Sequence, residues 1–364
     1  MGVETRKRFE LPVNRGEWYN FFGTRQSMNL GGIIMKAIVL KEFGGPEVLR
    51  VEDIPLPECG PDDILIRIRA TGVNRADLLE RQGLYPPPDP QPRYQIPGLE
   101  CAGVVEKVGQ RVTRFHPGDR VMALVSGGAY AEYVSCPADN AWIIPEGLSD
   151  VQAAGIPEAF VTAYDALVDK AGLKVGQRVL IHSGAGGVGS AAIQLARQMG
   201  LHIATTVGSA EKAEYTKNFG AEIAVNYHEQ DFVEEVRKWS GAQGVDAVLD
   251  FVGQNYLQRN LSVLRTGGVV VVIGTLSGAK GQIDLGELLK KRLIVRGTAL
   301  RSRPSYDKMH LVQEFQEATG ALFETGRLRA VIDRTLPLDQ APEAHRYMAT
   351  NKNIGKIILS VSQG

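Results

Sequence analysis

Cys59, Cys101 and Cys136 are the only cysteines in 364 residues, and no two of them stand close together. That scarcity excludes a disulfide framework and a structural zinc cluster, and it points to a reducing compartment such as the cytoplasm. No apolar run reaches the roughly 18 residues that a membrane span requires, so no membrane partner is expected. Charge of one sign is not in surplus either, since 41 Lys and Arg balance 41 Asp and Glu. A neutral chain has no basic footprint for phosphate backbones, and no nucleic-acid partner is expected. What is present is a globular composition, 44% hydrophobic and 23% charged, in a chain long enough for two domains.

Residues 1–34 stand apart from the rest. They show little periodicity, and the strand-like MKAIVL begins at a second methionine, Met35. Arg6, Lys7, Arg8, Arg15 and Arg25 suit an organellar transit peptide, but Glu4, Glu10 and Glu17 suit one poorly. A poorly ordered N-terminal extension is the preferred reading. Residues 35–150 read as short strands (KAIVL, ILIRIRA, CAGVVEKVG, DRVMALV, AYAEYVSC) separated by Gly and Pro loops. From about residue 150, uninterrupted apolar strands alternate with helical segments at 187–199, 210–219, 230–240 and 255–264, in about six repeats. That pattern predicts an α/β architecture with a doubly wound parallel sheet. The final sixty or so residues end in KIILSV and return to mixed structure, which allows them to rejoin the first domain.

The stretch IHSGAGGVGSAAIQLARQMG (181–200) carries the strongest chemical signal. Gly184, Gly186 and Gly189 satisfy G-x-G-x-x-G between a strand and a helix. Gly184 is expected to permit the tight turn, Gly186 to leave room for a pyrophosphate, and Gly189 to let the helix approach the sheet. Gly187 and Val188 complete a helix start whose free N–H groups favour an anion. An NAD site would place a carboxylate about 20 residues further on, for the ribose 2′-hydroxyl. Gly208-Ser209 stands there instead, followed by Lys212 and, after the third strand, Tyr227. A hydroxyl, an ammonium and a phenol suit a 2′-phosphate, so NADPH is preferred over NADH. The bland alternative is that Lys212 is a solvated helix residue and Tyr227 a surface aromatic.

Four stretches together, NRADLLERQGLYPPP (74–88), IPGLECAGVVEKVG (96–109), 181–200 and NKNIGKIIL (351–359), resemble zinc-independent medium-chain dehydrogenases/reductases. Within that group the chain is most similar to the quinone oxidoreductase branch, from Met35 onward. The resemblance implies a GroES-like, mostly-β catalytic domain (35–155 and 300–364) and a Rossmann NADPH-binding domain (156–299) with the active-site cleft between them. Zinc-dependent relatives carry ligands where this chain has Asn74 and Leu99, neither of which completes a catalytic site, so no metal is expected. His116 and His182 read as structural.

The resemblance assigns Asn74 to orient a carbonyl oxygen or water, with Asp77 as its partner, or else to stabilise a turn. Tyr85, ahead of a proline run that would hold its loop, is a proton donor to the reduced acceptor or a wall of its pocket. It assigns Thr162, Gly274, Thr275, Leu300, Arg301, Asn353 and Lys356 to the cofactor, with Arg301 and Arg303 alternatively simply exposed. Some relatives have a serine at the position of Gly186, linked to cofactor binding and activity, and glycine supplies no such hydroxyl. Without a metal, hydride transfer suits quinones and activated alkenes, whose π systems accept electrons directly. The implied function is an NADPH-dependent quinone oxidoreductase, as a homodimer or homotetramer. The alternatives are a 2-alkenal or enoyl-thioester reductase, or an NADPH-binding stress or structural protein with little turnover.

Overall fold

In the run Asp63–Val73, Ile64, Ile66 and Ile68 are fully buried while Arg69 faces solvent, as the period of two in a strand requires. The computed structural model describes residues 33–85 and 92–362. In it, β1 (Ile34–Val39) and β2 (Arg50–Pro55) form an antiparallel pair. β3 (Asp63–Val73), β4 (Glu100–Val108), β5 (Arg120–Leu124), β6 (Tyr133–Pro137) and β7 (Ala141–Ile143) follow. The sequence pattern misses β2 and β7 for a physical reason. Only Ile54 of β2 is buried, and β7 is three residues long, so neither displays an apolar face.

The second half contributes β8 (Arg178–Ile181), β9 (His202–Val207), β10 (Ile223–Asn226), β11 (Val245–Asp250), β12 (Leu264–Val272) and β13 (Ile294–Gly297). They form a six-stranded parallel sheet in the order β10-β9-β8-β11-β12-β13. Val179, Leu180 and Ile181 of β8, and Ala247, Val248 and Leu249 of β11, are wholly buried because helices cover both faces. The chain order reverses between β8 and β11, which opens a crevice at their carboxyl ends.

The last strands, β14 (Ile332–Pro337) and β15 (Lys356–Ser360), turn back to the first half. β15 lies antiparallel on β3, with Ile357 opposite Val73, giving a sheet in the order β14-β15-β3-β4-β5-β7 with β6 also on β3. The start of β15 is thereby carried to the carboxyl end of β8, where Gly355 donates its N–H to the Ala185 carbonyl at 2.7 Å. No helix among the described residues is long and apolar enough to cross a membrane. The N-terminal extension, up to residue 32, and the prolines after Tyr85 lie outside the described residues.

Candidate active site

Parallel strands bring their carboxyl ends to one side of a sheet, and most of the expected cofactor residues follow such ends. The glycine turn follows β8, Ser209 follows β9, Tyr227 follows β10, Gly274 and Thr275 follow β12, and Leu300 and Arg301 follow β13. Gly186 caps the helix Gly187–Gln198 with extended backbone and no side-chain acceptor. The helices beginning at Ala210, Phe232 and Leu285 are capped instead by Ser209, Asp231 and Asp284. A twelve-residue helix with an open, half-exposed start of Gly187 and Val188 keeps its N–H groups for an outside anion.

The three glycines act differently from one another. The left-handed residue of the turn is Ser183 at φ 53°, not Gly184. Gly184 thus serves the tight turn through its missing side chain and not through a left-handed backbone. Gly184 is required by packing, since a Cβ there would collide with the Thr205 hydroxyl on β9. Gly189 packs as expected, because a Cβ would strike the Ser183 carbonyl oxygen and come 2.8 Å from the Gly184 Cα. Gly186 is open, and a Cβ would meet only the Ser183 oxygen at 3.3 Å.

Ser209 accepts from the Lys212 backbone N–H at 3.2 Å, and the Tyr227 hydroxyl lies close over Gly208. The Lys212 ammonium donates to the Asn351 carbonyl at 2.6 Å, which ties this helix to the 351–356 segment rather than leaving the lysine solvated. Tyr227 borders a cavity of about 280 Å³ shared with His228, Phe232, Tyr256 and Arg259.

Across the glycine turn lies a buried polar cluster. Asn74 starts the helix Arg75–Arg81, where its N–H donates to Asp77 Oδ2 at 2.7 Å. Both ends of its amide are engaged: Nδ2 donates to Glu100 Oε1 at 2.9 Å, and Oδ1 accepts from Lys356 Nζ at 2.6 Å. Asn74 was expected to orient an acceptor; in the structure its amide holds the protein's own charges. Lys356 also donates to Glu100 Oε1 at 2.6 Å and to the Val73 carbonyl at 3.1 Å. Its stem crosses the helix start so closely that a Cβ on Gly187 would lie 2.6 Å from its Cδ. Asn353 donates to the Gly355 carbonyl at 2.8 Å, which shapes the approach to this lysine. A buried pair survives desolvation when further hydrogen bonds satisfy it, and here they do.

Tyr85 is half-buried, with the Arg301 guanidinium 5.2 Å from its ring centroid. Arg301 is buried and forked onto Glu80 at 2.7 and 3.0 Å, and Arg303 reaches Asp165 at 2.6 Å. The alternative that both arginines are simply exposed is thus wrong. Burial, and then the facing charge of Glu158, push the Tyr85 phenol up to about 12. Burial, and then Glu100, push the Glu158 carboxyl up to about 8. Asp77, fully buried, is raised to about 7, chiefly by burial, against the pull of the Asn74 N–H. Thr162 is buried one helical turn beyond Glu158 in the helix Pro157–Tyr164. His182 is held between Thr206 Oγ1 at 2.9 Å and Asn260 Oδ1 at 2.7 Å, a structural setting.

Sequence reasoning missed Glu80, Glu100, Glu158 and Lys308. Glu100 directly follows Leu99, and Glu158 precedes Thr162 by four, the spacing of one helix face. Those two adjacencies were the available signals. Leu99 is buried and apolar. Among the described residues, no three His, Cys, Asp or Glu side chains are grouped to hold a metal.

Two family models match the chain: the alcohol dehydrogenase GroES-like domain over residues 60–146, and zinc-binding dehydrogenase over 187–317. A quinone oxidoreductase of Homo sapiens is 35% identical over 341 residues, covering 91% of this chain and 99% of its own. A 2-haloacrylate reductase of Burkholderia sp is 35% identical over 334 residues, covering 90% and 99%. The crystal structure of Escherichia coli quinone oxidoreductase complexed with NADPH superposes with a TM-score of 0.79 at 32% identity, covering 90% and 99%.

Proposed function

The chain belongs to the quinone oxidoreductase family of medium-chain dehydrogenases/reductases, and from that premise we propose that it is an NADPH-dependent quinone reductase. The observation that carries this reading is the open, uncapped start of the Gly187–Gln198 helix, joined through the Gly186–Gly355 bridge to the cluster beside Tyr85. A dinucleotide fits that site. Gly186, Gly187, Val188 and Gly189 present a cradle that no side chain of the turn fills, with Gly184 behind them. Ser209, Lys212 and Tyr227 stand at the 2′-phosphate end. Thr162, Gly274, Thr275, Leu300, Asn353 and the Lys356 stem border the nicotinamide end, with Arg301 anchored behind it.

When bound, NADPH supplies the hydride. The protein's part is to orient the acceptor and to manage its proton. Tyr85, protonated throughout the physiological range, hydrogen-bonds the acceptor oxygen and walls its pocket. Asn74 keeps Lys356 and Glu100 in register, so that the floor of the cleft does not shift during turnover. No metal takes part in this reading, because Asn74 and Leu99 stand where ligands would be needed.

We extend the reading to the domain division, with residues 35–155 and 300–364 as the catalytic domain and 156–299 as the cofactor domain. We also extend it to a cytoplasmic location, in keeping with three free cysteines, and to a homo-oligomer. The likeness to a 2-haloacrylate reductase favours activated alkenes as a second acceptor class.

Loss of NADPH absorbance with a small quinone, a 2-alkenal and an enoyl thioester, with NADH in parallel, tests the assignment. Turnover is expected with NADPH and the quinone, and Tyr85→Phe should lower kcat about tenfold with little change in NADPH affinity. Turnover on the thioester alone overturns the quinone reading. Tight NADPH binding without oxidation by any acceptor favours the low-turnover alternative.

A further inference from the structure

The charged groups around Tyr85 and Glu158 come from five elements, with Arg301 on the loop after β13. Asp77 and Glu80 stand on the helix Arg75–Arg81, Glu100 on β4, Glu158 on the helix Pro157–Tyr164, Lys308 on the helix Ser305–Glu324, and Lys356 on β15. Most are fully committed. Glu100 accepts from Asn74, from Lys356 and, on Oε2, from the Glu158 backbone N–H at 2.8 Å. Glu80 holds Arg301 and Gln95. Asp77 accepts from the N–H groups of Asn74 and Gly98 and from the Tyr130 hydroxyl. Lys308 donates to Ser126 Oγ at 2.8 Å and to the Arg301 carbonyl at 3.3 Å.

Among the described residues, only the Tyr85 phenol and the Glu158 carboxyl in this group have polar ends with no hydrogen-bond partner, and both side chains are half-buried. The backbone of Glu158 is fixed in place. Its backbone N–H is pinned to Glu100, and it shares a helix face with Thr162 one turn along. The carboxyl lies near enough to Tyr85 to raise its phenol, on the helix that also carries Thr162.

We propose that Glu158 is the proton donor of the reaction, a catalytic residue that delivers its carboxylic proton to the oxygen of the reduced acceptor. The inference rests on the quinone reductase reading. Hydride from NADPH brings two electrons to the conjugated acceptor, and negative charge gathers on its oxygen. The Glu158 O–H bond breaks as the acceptor O–H bond forms. Water then reprotonates the carboxylate through its exposed side, so that NADPH, one proton and the quinone yield NADP⁺ and the quinol.

Burial and Glu100 keep this carboxyl protonated at neutral pH, with a pKa near 8. That lies closer to the range of efficient acid catalysis than a phenol near 12. Lys356 and Lys308 pull it down, Asp77 pushes it up, and the balance leaves an acid ready to donate.

The test compares wild type with Glu158→Gln and Glu158→Asp in the full chain. In wild type, kcat for the quinone is expected to fall as pH rises through about 8, because the donor must be protonated. Glu158→Gln should lose about 10²-fold in kcat and lose that alkaline limb, and Glu158→Asp should restore the limb. NADPH affinity, read by fluorescence titration, should stay within about threefold in both variants. Infrared spectroscopy of the cofactor-free protein gives an independent readout. A protonated-carboxyl band should titrate away near 8 and be missing from Glu158→Gln, separate from the band of Asp77.

An unchanged kcat and limb in Glu158→Gln, or no such band in wild type, overturns the donor role and leaves the quinone reading standing. An NADPH affinity lost in parallel with kcat also overturns it, because Glu158 would then be holding structure. Failure of wild type to oxidise NADPH with any acceptor overturns both.

Discussion

Lys212 meets two partners, one through its side chain and one through its backbone. Its stem is packed and its ammonium donates to the Asn351 carbonyl, while burial lowers its pKa. Its backbone N–H is on Ser209, so the proposed phosphate pocket and the 351–356 segment meet at this residue. A charge-assisted contact to a 2′-phosphate is worth about 1.5–3 kcal/mol, or roughly 10- to 100-fold in affinity. Lys212→Glu should accordingly weaken NADPH by at least tenfold and NADH by less than about threefold. Fluorescence titration with both nucleotides checks this, and equal losses would remove Lys212 from the phosphate pocket. Tyr85 and Asn74 were singled out through the family resemblance, but the use of the Asn74 amide was not legible in the sequence. Lys356 and Glu100 touch across 256 positions of chain, and no local pattern encodes such a contact.

At the scale of elements, the glycine turn was readable as a cradle, yet one of its three glycines is there for another reason. A spacing pattern reports that side chains are absent, not which neighbour excludes them. Thr205 on β9 excludes one at Gly184, the turn's own backbone excludes one at Gly189, and at Gly186 only the Ser183 carbonyl oxygen, 3.3 Å away, crowds one. Gly189→Ala should therefore lower stability by about 1–3 kcal/mol through overpacking. It should also weaken NADPH, because the helix start must move. Gly186→Ser should stay within about 0.5 kcal/mol of wild type. Thermal unfolding of the two variants side by side decides between them, and equal destabilisation would refute the distinction. Strands β2, β7 and β14 escaped notice for a related reason. They are short or mostly exposed, and only their partners keep them extended.

At the scale of the whole molecule, β13 closes one edge of the parallel sheet with Ile294 and Val295 exposed. Leu285 and Leu289 project from the preceding helix at 69% and 77% exposure. An apolar, unpaired edge invites association unless it is covered. A second copy across this edge is the expected cover, consistent with the proposed homo-oligomer. Val295→Lys combined with Leu289→Glu should convert the oligomer to a monomer in size-exclusion chromatography with light scattering. An unchanged mass would place the contact elsewhere.

Periodicity and composition determined the α/β class, the doubly wound sheet and the dinucleotide turn, because each is written in adjacent or regularly spaced residues. The place of Asn74 and Leu99 at ligand positions is instead what the family resemblance implies. Only the tertiary structure decided how the site is assembled. β15 had to return to β3 before Lys356 could reach Asn74 and Glu100. Glu100 in turn had to be fixed there before it could pin the helix that carries Glu158. Such contacts depend on the path of the chain, and their electrostatics on burial that only folding creates.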